Sequence, residues 1–215
     1  MTAPLSGSPA WTALLNAFAA AYCTTSSGGC TAIEAHRARV CDLLSAVMAG
    51  DPDIVTREPA TKPVVDHLAS AIKVGRHHGM GPLCVALGDV ADALTWEHGY
   101  ASVPAPLARK YAYCEVLGPR GPIPCADMIL GFVLFAPATV YAQHSHTDIQ
   151  ESYIAISGAW SQNGLAVHAP GSLVFNPPGY EHSITTDRHQ PCLLGYAWIG
   201  PHERLVMPGM SFTVE

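Results

Sequence analysis

Charge is scarce in this chain of 215 residues. Asp, Glu, Lys and Arg together make up 13% of it, the formal net charge is −6, and no basic run offsets that balance, so a nucleic-acid partner is not expected. Pairing signatures among the cysteines are missing too. The seven stand at positions 23, 30, 41, 84, 114, 125 and 192, an odd number without C-x-x-C spacing, which argues against a zinc cluster or a full disulfide framework and for a reducing compartment. The opening MTAPLSGSPA has no basic n-region, and the apolar run from Trp11 to Tyr22 is about half the length of a membrane span. A cytoplasmic protein with no membrane partner is the expectation. Phosphate-cradling glycine loops, a serine nucleophile elbow and a Cys-His nucleophile are not recognisable as motifs. Internal repeats and low-complexity tracts are also lacking.

Apolar residues, by contrast, are plentiful: 49% of the chain is hydrophobic and the mean hydropathy is +0.19, enough for a sizeable core. Trp11, Leu14, Leu15, Phe18 and Tyr22 recur at helical spacing, predicting a helix over 8–24 that stops at Ser26-Ser27-Gly28-Gly29. A second helix is predicted from Thr31 to Ala49, with Ile33, Val40, Leu44 and Val47 inward. After a loop from Pro52 to Pro63, Lys62-Pro63 opens a third, striped by Val64, Leu68 and Ile72. Leu83 to Trp96 suggests a fourth. His67, His77, His78 and His98 fall on or beside these helices and are assigned to solvent or caps.

From about Tyr111 the period changes. YCEVLGP, DMILGFVLFAP, VYAQHSH, SYIAISG, GSLVFNP, HSITT and CLLGYAWIG are short β-rich runs punctuated by Gly and Pro, as in an antiparallel sandwich or barrel. The predicted fold is α+β, with a helical segment over 1–110 packed on a β-barrel over 111–215.

The most informative stretch is Tyr141 to Gly158, YAQHSHTDIQESYIAISG. His144 and His146 share a face if the strand is extended, as do Glu151 and Tyr153, and the polar Thr147 to Gln150 between them reads as a turn. Downstream, a Pro-Gly turn in GSLVFNPPGYEH delivers His182 onto the next strand. Three imidazoles and one carboxylate suit a divalent transition metal. Simple alternation places Tyr141 out of phase with His144, so that it joins the group only if the strand bends or bulges. Asp148 reads as a solvated turn residue, and His168, His189 and His202 as exposed.

This pattern resembles the cupin family, whose motifs read G-x5-H-x-H-x3or4-E-x6-G and G-x5-P-x-G-x2-H-x3-N. The first is met at His144, His146, Glu151 and Gly158, with Ala138 in the leading glycine position. The second is met at Gly171, Pro177, Gly179 and His182, with a threonine for the Asn. A cupin-type double-stranded antiparallel barrel, or jelly roll, is what this resemblance implies. With the flanking KPVVDHLASAI, GPRGP and LGFVLFAPATVYAQHSH, the chain is similar to the cupin-type dimethylsulfoniopropionate (DMSP) lyases over about residues 60–200. That family places metal ligation on His146, Glu151 and His182, with His144 as ligand or neighbour and Tyr153 as ligand or base. A second family tyrosine falls at Tyr141. The family has three residues between His and Glu, whereas Thr147-Asp148-Ile149-Gln150 makes four; general cupins accept that spacing.

The expected activity is β-elimination of DMSP, or a similar small zwitterion, to dimethyl sulfide and acrylate. One divalent ion (Fe, Zn, Mn, Co or Ni) is the implied cofactor, Tyr153 or Tyr141 the base, and Trp160, Tyr196 and Trp198 the aromatic partners of the substrate's cation. The alternatives are a cupin iron oxygenase and a non-catalytic cupin that binds a metal or small ligand. Either a monomer or a homodimer fits the sequence.

Overall fold

The computed structural model describes residues 3–100 and 102–208. Helices come first. The predicted first helix is α1, Pro9–Thr24, and the second is α2, Thr31–Gly50. The third begins with a 3-10 turn, Pro63–His67, that runs into α3, Leu68–Gly75. The fourth, α4, spans only Gly81–Val90. The sequence reading extended it to Trp96, and the structure corrects this. Ala91–Ala93 make one 3-10 turn, and Trp96–Glu97 become a strand. There the Trp96 amide donates to the Ala60 carbonyl at 2.8 Å, and Trp96 faces Cys114 across a ladder. Backbone pairing on both sides outweighs a continued helix at a Thr-Trp pair that already favours strand. The short helices α5, Ala105–Ala108, and α6, His202–Val206, complete the set.

In chain order the strands are β1, Ala3–Pro4; β2, Asp53–Ile54; β3, Trp96–Glu97; β4, Tyr111–Leu117; β5, Met128–Phe135; and β6, Val140–His144. Then follow β7, Gln150–Ser157; β8, Trp160–Gln162; β9, Ala166–His168; β10, Leu173–Asn176; β11, His182–Thr186; and β12, Cys192–Ile199. The loop expected between Pro52 and Pro63 thus contains β2, which pairs with β1. Six strands make the large sheet in the order β10-β7-β12-β5-β4-β3, and four make the small one, β6-β11-β8-β9. Every ladder between named strands is antiparallel. The two sheets face each other as a double-stranded barrel.

Both faces of the large sheet are covered, which explains why MILGFVLF is apolar throughout instead of alternating. Met128, Leu130, Phe132 and Leu134 pack with the helices, while Ile129, Val133 and Phe135 turn into the barrel. Strand β7 divides likewise: Ile154 and Ile156 join the helical core, Tyr153 and Ala155 the barrel core. Gly195 lets α1 approach, because a Cβ there would lie 3.0 Å from the Phe18 ring. Among the described residues no helix is long and apolar enough to cross a membrane.

A candidate metal centre in the barrel

Strands β6 and β11 pair so that His182 lies opposite His144, and the two rings stand 4.2 Å apart between centroids. His146 follows β6 by two residues and packs on Trp198 at 4.4 Å. Ligand nitrogens of His144, His146 and His182 all lie within 4.8 Å of one another, and the three residues are buried. Glu151 borders this trio at two of its members. Its Oε1 is 3.5 Å from His146 Nε2 and its Oε2 is 2.9 Å from His182 Nε2.

Orientation is fixed from outside the cluster. Nδ1 of His144 donates to the Ala142 carbonyl and Nδ1 of His182 to the Tyr180 carbonyl, each at 3.0 Å. With that proton on Nδ1, the Nε2 lone pair of each ring is turned inward. Glu151 faces Trp198 on one neighbouring strand and Asn176 on the other. Both cross-strand partners bond it: Trp198 Nε1 donates to Oε1 at 2.7 Å, and Asn176 Nδ2 to Oε2 at 2.9 Å. Asn176 is held in turn by Gln162 Nε2 at 2.8 Å.

A divalent metal fits this set. Nδ1 of His146 is buried without a hydrogen-bond partner, and the Nε2 atoms of His146 and His182 face only the Glu151 carboxylate; a buried polar atom left unmatched costs about 1 to 3 kcal/mol. Donor lone pairs converging on one point are satisfied by a cation. Electrostatics agree. Burial, reinforced by His182, pushes the His144 imidazole down to about 3, the neutral state that ligation needs. Burial alone would raise the Glu151 carboxyl, but His146 and His182 beside it hold it well below the usual carboxylate range. Burial lowers His182, but the Glu151 carboxylate and the Tyr180 carbonyl together leave it above the ordinary imidazole range until a cation takes the proton's place.

His144 and His146 open on a cavity, while His182 lies behind its lining. Tyr141, His144, His146, Glu151, Tyr153, Tyr196 and Trp198 all line it. Tyr141 arrives there through a bulge: the register with β11 shifts between His182 and Ile184, so that Ile184 pairs with Tyr141. Its ring then sits 4.8 Å from that of His144, and its hydroxyl donates to Tyr100 at 2.8 Å. Burial first, then neighbouring groups, hold the phenols of Tyr141 and Tyr153 well above their ordinary range; for Tyr153 the neighbour is Glu151.

Trp160 is placed otherwise. It is fully buried in the barrel core, edge-on to Tyr153 at 5.8 Å and against His168 at 4.8 Å, and it is not among the residues lining the cavity. His168 is accordingly half-buried, whereas His189 and His202 are exposed. Asp148, with φ of 60°, makes the left-handed turn that absorbs the longer His-to-Glu linker. Its carboxylate lies exposed, 3.4 Å from Arg204. Ala138, in the leading glycine position of the first motif, has the φ of 52° that a glycine would adopt freely.

Sequence reasoning missed several residues. Tyr111, Tyr113 and Arg120 also line the cavity. The first two were discoverable, since YAYCEV alternates and places both on one strand face. Arg120, from the GPRGP turn, is anchored by Glu115, whose Oε1 accepts from the amides of Arg120 and Gly121 at 2.6 and 2.7 Å. Asn176 and His36 were also overlooked. The latter is 2% exposed in α2, four residues before Val40 on the stripe that predicted the helix.

Three buried histidines and a glutamate gathered inside a double-stranded antiparallel barrel define a cupin. Comparison with known proteins narrows the class. A sequence model of the dimethylsulfoniopropionate lyase family matches residues 36–194, and the chain belongs to that family. It is 54% identical over 209 residues to a putative dimethylsulfoniopropionate lyase, DddL, of Cereibacter sphaeroides, covering 97% of this chain and 90% of the relative. Two solved structures share the fold. One, from work on the DMSP lyases RdDddP and RnDddQII, superposes with a TM-score of 0.68 at 22% identity over 97% of this chain and 100% of its own. The other, DMSP lyase DddQ from Ruegeria pomeroyi DSS-3, gives 0.61 at 20% over 89% and 92%.

Proposed function

We propose that this chain is a metal-dependent lyase that cleaves the carbon–sulfur bond of DMSP by β-elimination, releasing dimethyl sulfide and acrylate. The observation that carries the reading is the convergence of inward-turned imidazole nitrogens and two buried tyrosines on one cavity. His144, His146, His182 and Glu151 would hold the ion. When bound, it supplies positive charge that offsets the substrate carboxylate and the enolate-like charge growing beside it.

The chain's own residues supply the rest. Tyr153 shares the inner face of β7 with Glu151 and is assigned as the base, while Tyr141 stands beside His144 with its hydroxyl engaged by Tyr100. A tyrosine titrates near about 10 in water, and here burial and Glu151 raise Tyr153 further. Its phenolate therefore becomes accessible only once positive charge occupies the site. Tyr153 then takes the proton from the carbon next to the carboxylate, that C–H pair becomes the alkene bond, and the carbon–sulfur pair leaves on a neutral thioether. The faces of Tyr196 and Trp198, 5.7 Å apart, are assigned to the sulfonium, each worth about 0.5 to 2 kcal/mol. Trp160, beneath Tyr153, supports that ring instead of touching substrate.

Anaerobic incubation of the metal-loaded protein with DMSP tests the proposal. Dimethyl sulfide and acrylate should appear in equal amounts without oxygen. A requirement for oxygen would point to an oxygenase, and inertness with and without it to a binding protein; either result overturns the lyase.

A further inference from the structure

Strand β7 presents Glu151 and Tyr153 to the cavity, and it presents Ser152 to the helices on its rear face. There His36 of α2 spans two of its residues. Nε2 lies 2.8 Å from Ser152 Oγ and Nδ1 lies 3.2 Å from Gln150 Oε1. Tyr22 of α1 reaches the same Ser152 Oγ at 3.0 Å. Proton bookkeeping gives this chain one direction. Gln150 Oε1 only accepts, so the imidazole proton sits on Nδ1 and Nε2 accepts from Ser152, whose oxygen accepts from Tyr22. The His36 ring also packs on Phe175 at 4.9 Å, the residue before Asn176, so it touches both strands that carry the carboxylate and its amide partner.

A hydroxyl, an imidazole and an amide in sequence have the connectivity of an activated nucleophile. Ser152 is 0% exposed and Tyr22 likewise, so no substrate reaches that oxygen, and what the network transmits is position. We propose that His36, with Tyr22 and Ser152, is a positioning device for the metal centre. The helices grip residues 150 and 152 from behind, and this sets where Glu151 stands relative to His146 and His182. Donors held by groups outside the coordination sphere lose affinity when that support goes. The inference rests on reading the three histidines and Glu151 as a metal centre; it does not need the lyase reaction.

Cobalt(II) added alone to the metal-stripped protein provides the test, because its visible absorption reports ligand geometry independently of turnover. His36→Phe, which leaves Ser152 and Gln150 short of a partner, should fold with a lowered thermal midpoint, weaken cobalt binding by roughly tenfold or more, and shift the absorption band. His36→Gln, whose amide can still meet Ser152, should recover part of both. Should His36→Phe not fold, Ser152→Ala decides by the same two readouts. A variant that folds and binds cobalt with unchanged affinity and spectrum overturns the proposal, as does a lowered thermal midpoint accompanied by neither change. Tight cobalt binding in a parent protein inert towards DMSP would sink the lyase and leave this inference standing.

Discussion

Replacing Asn176 by alanine isolates how firmly the Glu151 carboxylate must be held. The side chain makes one charge-assisted bond, Nδ2 to Oε2 at 2.9 Å, and accepts a second from Gln162 Nε2 at 2.8 Å. A buried hydrogen bond to a charged group contributes about 1.5 to 3 kcal/mol net. Since about 1.4 kcal/mol corresponds to a factor of ten in an equilibrium constant, the full amount would weaken metal binding about 10- to 100-fold. Part of it should instead lower the stability of the metal-free fold, where the same bond exists. A thermodynamic cycle closes the account: the loss in metal-free stability plus the loss in binding energy equals the destabilisation of the loaded protein. Urea unfolding with and without metal gives two sides, and competition against a chromogenic chelator gives the third. Asn176→Asp serves as control, because it keeps the shape but sets a second carboxylate against Glu151. If the two losses for Asn176→Ala sum to less than about 0.5 kcal/mol, far below a buried ionic bond, the picture of a braced carboxylate is wrong.

His182→Ala should abolish metal retention through gel filtration, and full occupancy by elemental analysis would contradict its assignment as a ligand. Tyr153→Phe should leave the circular dichroism unchanged and lower kcat by about 10²- to 10⁴-fold, the usual contribution of a positioned base; unchanged turnover removes it from the mechanism. Gly131→Ala would set a methyl 2.0 Å from the Cys114 carbonyl, and the forced parting of β4 from β5 should cost about 3 kcal/mol or more, read as a lowered urea midpoint. Burial lowers the His36 pKa, so the fold takes up this proton at a lower pH than the unfolded chain, whose imidazole titrates at about 6.5. The unfolded state then binds more protons, and metal-free stability should fall as pH drops below that value. His36→Phe should show a shallower fall between pH 7.5 and 5, and an identical slope would refute the assignment.

Much of the site could be read from spacing because two short motifs each encode a local geometry. H-x-H with a Glu five residues on places donors on the inner side of paired strands whichever helices surround them, and Pro-x-Gly before His182 dictates a turn from backbone constraints alone. Even the long linker was tolerable locally, since Asp148 can adopt the left-handed turn. What stayed hidden depends on contacts distant in sequence. Asn176 looks like a turn residue before Pro177 until β10 is laid beside β7. His36 lies on the apolar stripe of α2 but between the charged Glu34 and Arg37, and its polar partners are on a strand more than a hundred residues away. Trp160 failed differently: the sequence shows an aromatic in the barrel region, but only packing shows that Tyr153 lies between it and the cavity. The overlong fourth helix reflects an edge strand competing for Trp96: the Thr-Trp pair leans that way locally, but its partners at Ala60 and Cys114 are distant in sequence.

Because Ile154 and Ile156 belong to the helical core while Glu151 and Tyr153 belong to the cavity, one ribbon of backbone serves two masters. A chemist wishing to graft this pocket elsewhere could not lift out the jelly roll by itself. Freed of its helices, its outer wall would present a greasy slab to water, and the excised piece would clump before it could be assayed.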